Sequence, residues 1–262
     1  MKLAVGYPWS SPFIFTNFAE NISNLERPDG FDVRFFRGEG WCAARRHISF
    51  CQKALDWGAD LICIIGADQV HPEDMLKRLV ARVMDGCEVI AALVPCRGYV
   101  HWQPMMPFQP MAWRFKTNTE LGTTKYQNYE GMQVTPELVH IVKREDGDVV
   151  PVNFIGSGVI MFQKDHLLAL KKPWFYETVN HEDQQRIANM DCTFVWRLQR
   201  EAGARIWVDT TIMVRHLNVF EIDDTYSDRF ADWARGGSGD KNICSFQKPE
   251  DLKPYTTGTN ET

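Results

Sequence analysis

Asp68, His216 and Asp191 are the residues of this sequence best placed to do chemistry. In 60-DLICIIGADQVHPEDM-75 an apolar run ends abruptly on Gly66-Ala67-Asp68. One reading of Asp68 is a turn or N-cap aspartate where a strand leaves the core. The other is a carboxylate that handles a metal or a phosphate. A hard divalent cation takes oxygen ligands, and Mg²⁺ or Mn²⁺ often uses only one or two carboxylates beside phosphates and water. His216 closes 205-RIWVDTTIMVRH-216 and is the candidate second ligand, imidazole being acceptable in mixed nitrogen and oxygen sites; a satisfied surface or core histidine is the plain alternative. Asp191 opens 191-DCTFVWRLQREAG-203, where it is either a helix cap or a general base that takes a proton from a hydroxyl. Glu182 and Asp183 compete for the latter role.

Weaker signals accompany these three. Gly156-Ser157-Gly158 allows close backbone approach to a ligand, or marks an ordinary bulge or turn. Arg45 with Arg46, and Arg97, are either solvated charges or binders of diphosphate. The Met- and aromatic-rich stretch from Trp102 to Trp113 suits packing, or an acceptor groove in which sugars stack.

The elements that must position these residues can be read from periodicity. A first strand is expected over residues 2–5, stopped by Gly6-Tyr7-Pro8, with a turn-rich arm to about Arg34. Helical spacing of Ile48, Cys51, Ala54 and Leu55 predicts a helix over 45–57. The continuous apolar run 61–65 suits a strand buried on both faces of a parallel sheet. His71-Pro72-Glu73-Asp74 opens the next helix, and 88–94 is a strand ended by Pro95. Residues 98–149 read as loops and small strands, a β-insertion. A strand-like pattern resumes over 152–162, with helices after it at 164–170 and 191–202 and a strand at 205–208. Alternating strands and helices predict an α/β fold with a central, mostly parallel sheet flanked by helices, and ligands then bind beyond the carboxyl ends of its strands. The expected organisation is one domain over 1–220, with a nucleotide-binding half (1–97) and an acceptor half (98–220). A C-terminal arm or lid is expected over 221–262, rich in glycine at 236–239.

Composition narrows the class. The 262 residues are 44% hydrophobic, enough for a sizeable core, and the net charge of −5 gives no electrostatic footprint for nucleic acid or anionic membranes. Seven cysteines without a CxxC pair predict reduced, buried thiols rather than zinc ligands. The N-terminus lacks the apolar stretch of a signal peptide and no segment is long enough to span a membrane, so a cytoplasmic location is expected and the sequons at Asn21 and Asn260 carry no meaning.

The order of these pieces resembles nucleotide-sugar glycosyltransferases of the GT-A fold, family-two-like. The segment 54-ALDWGADLICIIGADQVHPEDM-75 is similar to the family's strand and acidic DxD signature. The segment 89-VIAALVPCRG-98 looks like its next strand and Pro-x-Arg turn, and 153-NFIGSGVIMFQKDHLLAL-170 like its acceptor-side strand and helix. Finally, 191-DCTFVWRLQREAGARIWVDTTIMVRH-216 resembles the segment that carries the family's base candidate and metal-binding histidine. Two departures stand out: Gly66 replaces the first DxD acid, and Met190 replaces the Glu that commonly precedes the base.

The resemblance implies a metal-dependent, hexosyltransferase-like enzyme using Mn²⁺ or Mg²⁺ and a UDP- or GDP-type sugar donor. It implies that Asp68 and His216 hold the metal, that Tyr7 and Pro8 lie near the base, and that Arg45 and Arg97 meet ribose or phosphate. Gly156 and Ser157 would border donor sugar and acceptor, with Asp191 as the base if configuration inverts. The acceptor hydroxyl, whether on a glycan, a small molecule, a protein or a modified base, is left open. A non-catalytic nucleotide-sugar or glycan binder of the same fold is the alternative that Gly66 suggests.

Overall fold

A computed structural model describes residues 1–9, 14–95, 112–115, 139–179, 186–188 and 190–217. The chain divides into two units, Met1–Cys96 with Gln109–Leu217, and Arg97–Phe108 with Asn218–Thr262; every described residue belongs to the first. Arg97, Glu182, Asp183, most of the 102–113 cluster and the C-terminal arm lie outside the described residues.

The first unit is a mixed α/β layer structure. Its central sheet contains β1 (Lys2–Pro8), β2 (Asp32–Gly38), β3 (Leu61–Ile65), β5 (Val89–Leu93), β8 (Val149–Val152), β10 (Val159–Gln163) and β13 (Ile206–Met213). Their spatial order is β2-β1-β3-β10-β5-β13-β8. Strands β2, β1, β3, β5 and β13 run in one direction, while β10 and β8 run against their neighbours. The carboxyl ends of five strands and the start of β10 therefore meet at one edge.

Sequence dictates the two packed faces. All five residues of β3 and of β5 are buried, as a continuous apolar run requires in a sheet covered on both sides. Alternation sends Ile62, Ile64, Val89, Ala91 and Leu93 to one core and Leu61, Cys63, Ile65, Ile90 and Ala92 to the other. Helices α2 (Ala43–Asp56) and α5 (Met190–Arg200) cover the first face, with the short α4 (Lys164–Leu168). Helices α1 (Thr16–Asn24) and α3 (Met75–Met84) cover the second. At Gly6 a Cβ would fall 2.1 Å from the Phe50 ring, so α2 approaches β1 only because that side chain is missing. On the other face α3 is tied to β13: the buried carboxylate of Asp209 accepts a 2.9 Å bond from Arg82 Nε, and Arg78 lies 3.7 Å away.

Several expectations need adjusting. Strand β1 continues through Pro8, because Tyr7 and Pro8 extend the parallel register against Arg37 and Gly38 at the sheet margin. The stretch expected as a turn-rich arm contains α1 and β2. Helix α1 has no side-chain cap and no acid in its first turn, and β2 is an edge strand with a largely exposed surface, so neither carries a strong local signal. Helix α3 starts at Met75, three residues after Pro72, and β13 runs on to Met213 through an irregularity after Asp209. Within 98–149, β6 (Ala112–Phe115) pairs with β7 (Val139–Ile141) and with β9 (Phe154–Ile155) in a small separate sheet, as a β-insertion requires. Two further strands, β11 (Thr178–Val179) and β12 (Arg186–Ala188), pair before α5. Cys42, Cys51, Cys63, Cys87 and Cys192 are free thiols. No helix among the described residues is long and apolar enough to cross a membrane.

Candidate functional site

Asp68 lies three residues past the end of β3, immediately before β4 (Gln69–Val70). Strand β4 pairs antiparallel with β14 (Arg215–His216), and the Leu217 amide donates to the Asp68 carbonyl at 2.7 Å. This miniature ladder brings together two residues far apart in sequence: His216 Nε2 lies 3.4 Å from Asp68 Oδ2. The other ring nitrogen is fixed by the residue just past β5, since Nδ1–H donates to the Pro95 carbonyl at 2.9 Å. A carbonyl can only accept, so a neutral His216 turns its Nε2 lone pair toward a carboxylate. That arrangement is favourable only with a proton on Nε2 or a cation shared by the two groups. Two donor atoms each about 2.1 Å from one cation lie roughly 3.0–3.4 Å apart, so the pair fits a divalent ion, with a carbonyl holding the histidine tautomer. Among the described residues there is no cluster of three or more His, Cys, Asp or Glu able to hold a metal. The rest of an Mg²⁺ or Mn²⁺ shell would come from phosphate and water, as is usual for those ions.

Beside Asp68 the chain builds a polar network that leaves no mark in the sequence. Asn21 on α1 accepts from the His71 backbone N–H and from Nδ1–H at 2.7 and 2.9 Å, and returns a bond to the His71 carbonyl. His71 Nε2, left with a lone pair, is 3.3 Å from Oε1 of the Gln69 amide, whose NH₂ must take that position for a bond to form. Gln69 fills the space between Gly66 and Gly158, where a Cβ on either would come within 2.5 Å of its amide, and the two glycines are joined by a 2.6 Å backbone bond. Gly66, at the position where the resemblance calls for a first acid, is a glycine for a packing reason: the neutral buried amide of Gln69 occupies the room a carboxylate would need. Gly66→Asp alone is expected to cost about 1–3 kcal/mol and to add no metal affinity, because it displaces Gln69 and strands His71. A denaturant midpoint equal to wild type together with tighter Mn²⁺ binding would contradict this.

Burial pushes His71 down to about 3, against the opposing charge of Asp68. An unfolded histidine titrates near 6.5, so this contribution to stability is complete above that pH and is lost as pH falls toward the folded value. Stability is expected to decline below pH 6.5 with a slope of up to about 1.4 kcal/mol per pH unit from this group. His71→Gln should flatten the decline relative to wild type; an unchanged slope would remove His71 as its cause.

Asp191 lies in the first turn of α5, and Ser157 donates to its Oδ1 at 2.6 Å. Ser157 is buried in the turn before β10, which reaches this edge because β10 runs antiparallel to β3 and β5. Met190, at the position where the resemblance calls for an acid, is buried in the core under α5, so that position faces apolar side chains. His47 on α2 is a further group near Asp191. It is buried, its Nδ1–H donates to the Ala43 carbonyl at 2.9 Å, and Nε2 has no hydrogen-bond partner among the described residues. Burial lowers its pKa, while the Asp191 charge acts in the opposite direction.

The remaining candidates are spread over both faces of the sheet. Tyr7 and Pro8 end β1 at the same edge, with the Tyr7 ring edge-on to Phe18, 5.7 Å away, on the α1 and α3 face. Arg45 is exposed in the first turn of α2, on the opposite face. Gly156 precedes Ser157 in the turn before β10. Asp68 with His216 and Ser157 with Asp191 are thus brought together as pairs, both at the carboxyl edge of the sheet.

No protein-family description matches the chain, and no curated protein does. Among solved structures, that of A197 from STIV is similar over 83% of this chain and 86% of that one, with a TM-score of 0.50 and 12% identity. This likeness concerns the fold. The structures of UDP-glucose pyrophosphorylase, apo and complexed with UDP-glucose, align over 71% of this chain at a TM-score of 0.35 and 10% identity. The aligned region spans 57% and 59% of those chains, respectively.

Proposed function

We propose that this protein is a metal-dependent glycosyltransferase that moves a sugar from a nucleoside-diphosphate sugar to an acceptor hydroxyl. The observation that carries the reading is the Asp68–His216 pair, 3.4 Å apart at the carboxyl edge of the sheet with the histidine tautomer fixed by Pro95. Asp68 and His216 would hold a Mn²⁺ or Mg²⁺ ion, which supplies positive charge against the diphosphate as it leaves. Asp191, oriented by the hydroxyl of Ser157, takes the proton from the acceptor oxygen as that oxygen bonds to the anomeric carbon and the bond to diphosphate breaks. This role applies to inversion; in a retaining reaction the same carboxylate orients donor or acceptor. Tyr7 and Pro8 border the base, and the backbone of Gly156 lets donor sugar approach. Arg45 and Arg97 are assigned to ribose or phosphate.

One observation favours a second reading, a binding protein without turnover: Gln69 fills the space of the missing first acid. Incubating the protein with a panel of UDP- and GDP-sugars and Mn²⁺ or Mg²⁺, and measuring donor hydrolysis or transfer, separates the two. Turnover lost without metal supports the enzyme. Donor binding without turnover of any donor supports the binder.

A further inference from the structure

The geometry points to an acceptor subsite for a saccharide ring, in a cavity between the start of α2 and the segment preceding β11. The word acceptor rests on the transferase reading; the saccharide site does not. The cavity has a volume of about 540 Å³, within the range of small-ligand sites, and Trp41, Arg45, Ile48, Phe175, Tyr176 and Glu177 are among its lining residues.

Its walls suit a ring with apolar faces and a polar rim. Trp41 and Tyr176 supply exposed aromatic surface, with the buried Phe175 behind them, while Glu177 supplies charge. Trp41 is 83% exposed and makes no ring contact among the described residues, an unusual position for an indole and one that leaves a flat apolar face ready for a partner. The C–H faces of a pyranose stack on such rings while its hydroxyls stay in water or meet charged groups.

The cavity is also preformed. Phe175 is held between the rings of His47, 5.0 Å away, and Phe194, 4.1 Å away. Arg197, buried on α5, donates to the carbonyls of Lys171, Pro173 and Trp174, pairs with Glu201, and lies 5.3 Å from the Tyr176 ring. The segment that forms one wall is therefore fastened to α5, the helix that carries Asp191 in its first turn, and Phe194 lies one turn farther along. The cavity sits on the α2 and α5 face, whereas Tyr7 packs against Phe18 on the other face, so it is distinct from the place given to the base.

The test is saturation-transfer NMR and calorimetric titration of the full chain with methyl glucoside, galactoside and mannoside and with maltose, cellobiose and lactose. At least one is expected to bind with a saturating signal. Trp41→Ala, at an exposed position, should weaken that binding at least tenfold, and Trp41→Phe should keep it within about threefold. Binding of UDP or GDP with Mn²⁺ should be unchanged in Trp41→Ala. Failure of every saccharide to bind, equal binding by Trp41→Ala, or loss of nucleotide binding in that variant would each overturn the proposal. Saccharide binding without any nucleotide binding in the wild type would uphold the site and sink the transferase reading.

Discussion

Asp68→Asn is expected to lower metal-supported turnover of the sugar-nucleotide donor by about 10²–10³-fold while leaving the protein folded. The substitution preserves shape and removes the charge. Asp68 is partly exposed beyond the end of β3 and lies outside both apolar cores, and asparagine keeps its size, so the variant is expected to fold. Without that charge a cation at this position keeps only the imidazole of His216 from the described pair. The concentration of Mn²⁺ needed for half-maximal rate should therefore rise at least tenfold, and excess metal should recover part of the lost rate. That recovery separates a ligand from a structural turn residue, whose loss no metal repairs. Turnover of Asp68→Asn equal to wild type, with the same metal requirement, would remove Asp68 from the site.

Asp191→Asn should lower kcat by about 10²–10⁴-fold, the usual range for a general base, with the KM for donor within a few-fold of wild type. Asparagine preserves the size of the side chain and can still accept from Ser157, whose hydroxyl now bonds Oδ1 at 2.6 Å. What it cannot do is take the proton. Ser157→Ala should show the smaller effect of losing orientation, about tenfold in kcat, with the base itself present. Donor hydrolysis and transfer, measured separately at saturating metal, give both readouts. A rise in donor KM with kcat close to wild type for Asp191→Asn would assign the residue to binding and not to proton transfer.

The parts of this site that were legible in the sequence owe it to simple physics. Leu61–Ile65 and Val89–Leu93 are apolar at every position because both faces of those strands are covered, and residues just beyond such a strand lie at the ligand-binding edge. Asp68 was visible for that reason, and Asp191 because it starts an amphipathic helix. His216 needed more: β14 is two residues long, and only its pairing with β4 turns a histidine after a strand into a neighbour of Asp68. The Asn21–His71–Gln69 network left no sequence signal, since its members belong to different elements and each is unremarkable alone. The reason for Gly66 was hidden likewise, because its neighbour in space is the side chain of Gln69 and not a backbone turn. Helix α1 and edge strand β2 were missed because neither carries a capping signal or a continuous apolar face.

The central claim is that Asp68 and His216 share a cation, and Mn²⁺ titration monitored by electron paramagnetic resonance in the presence of UDP or GDP measures it without requiring turnover. The account predicts one bound ion in the wild type and at least tenfold weaker binding in both Asp68→Asn and His216→Gln. Equal Mn²⁺ affinity in all three proteins would contradict it.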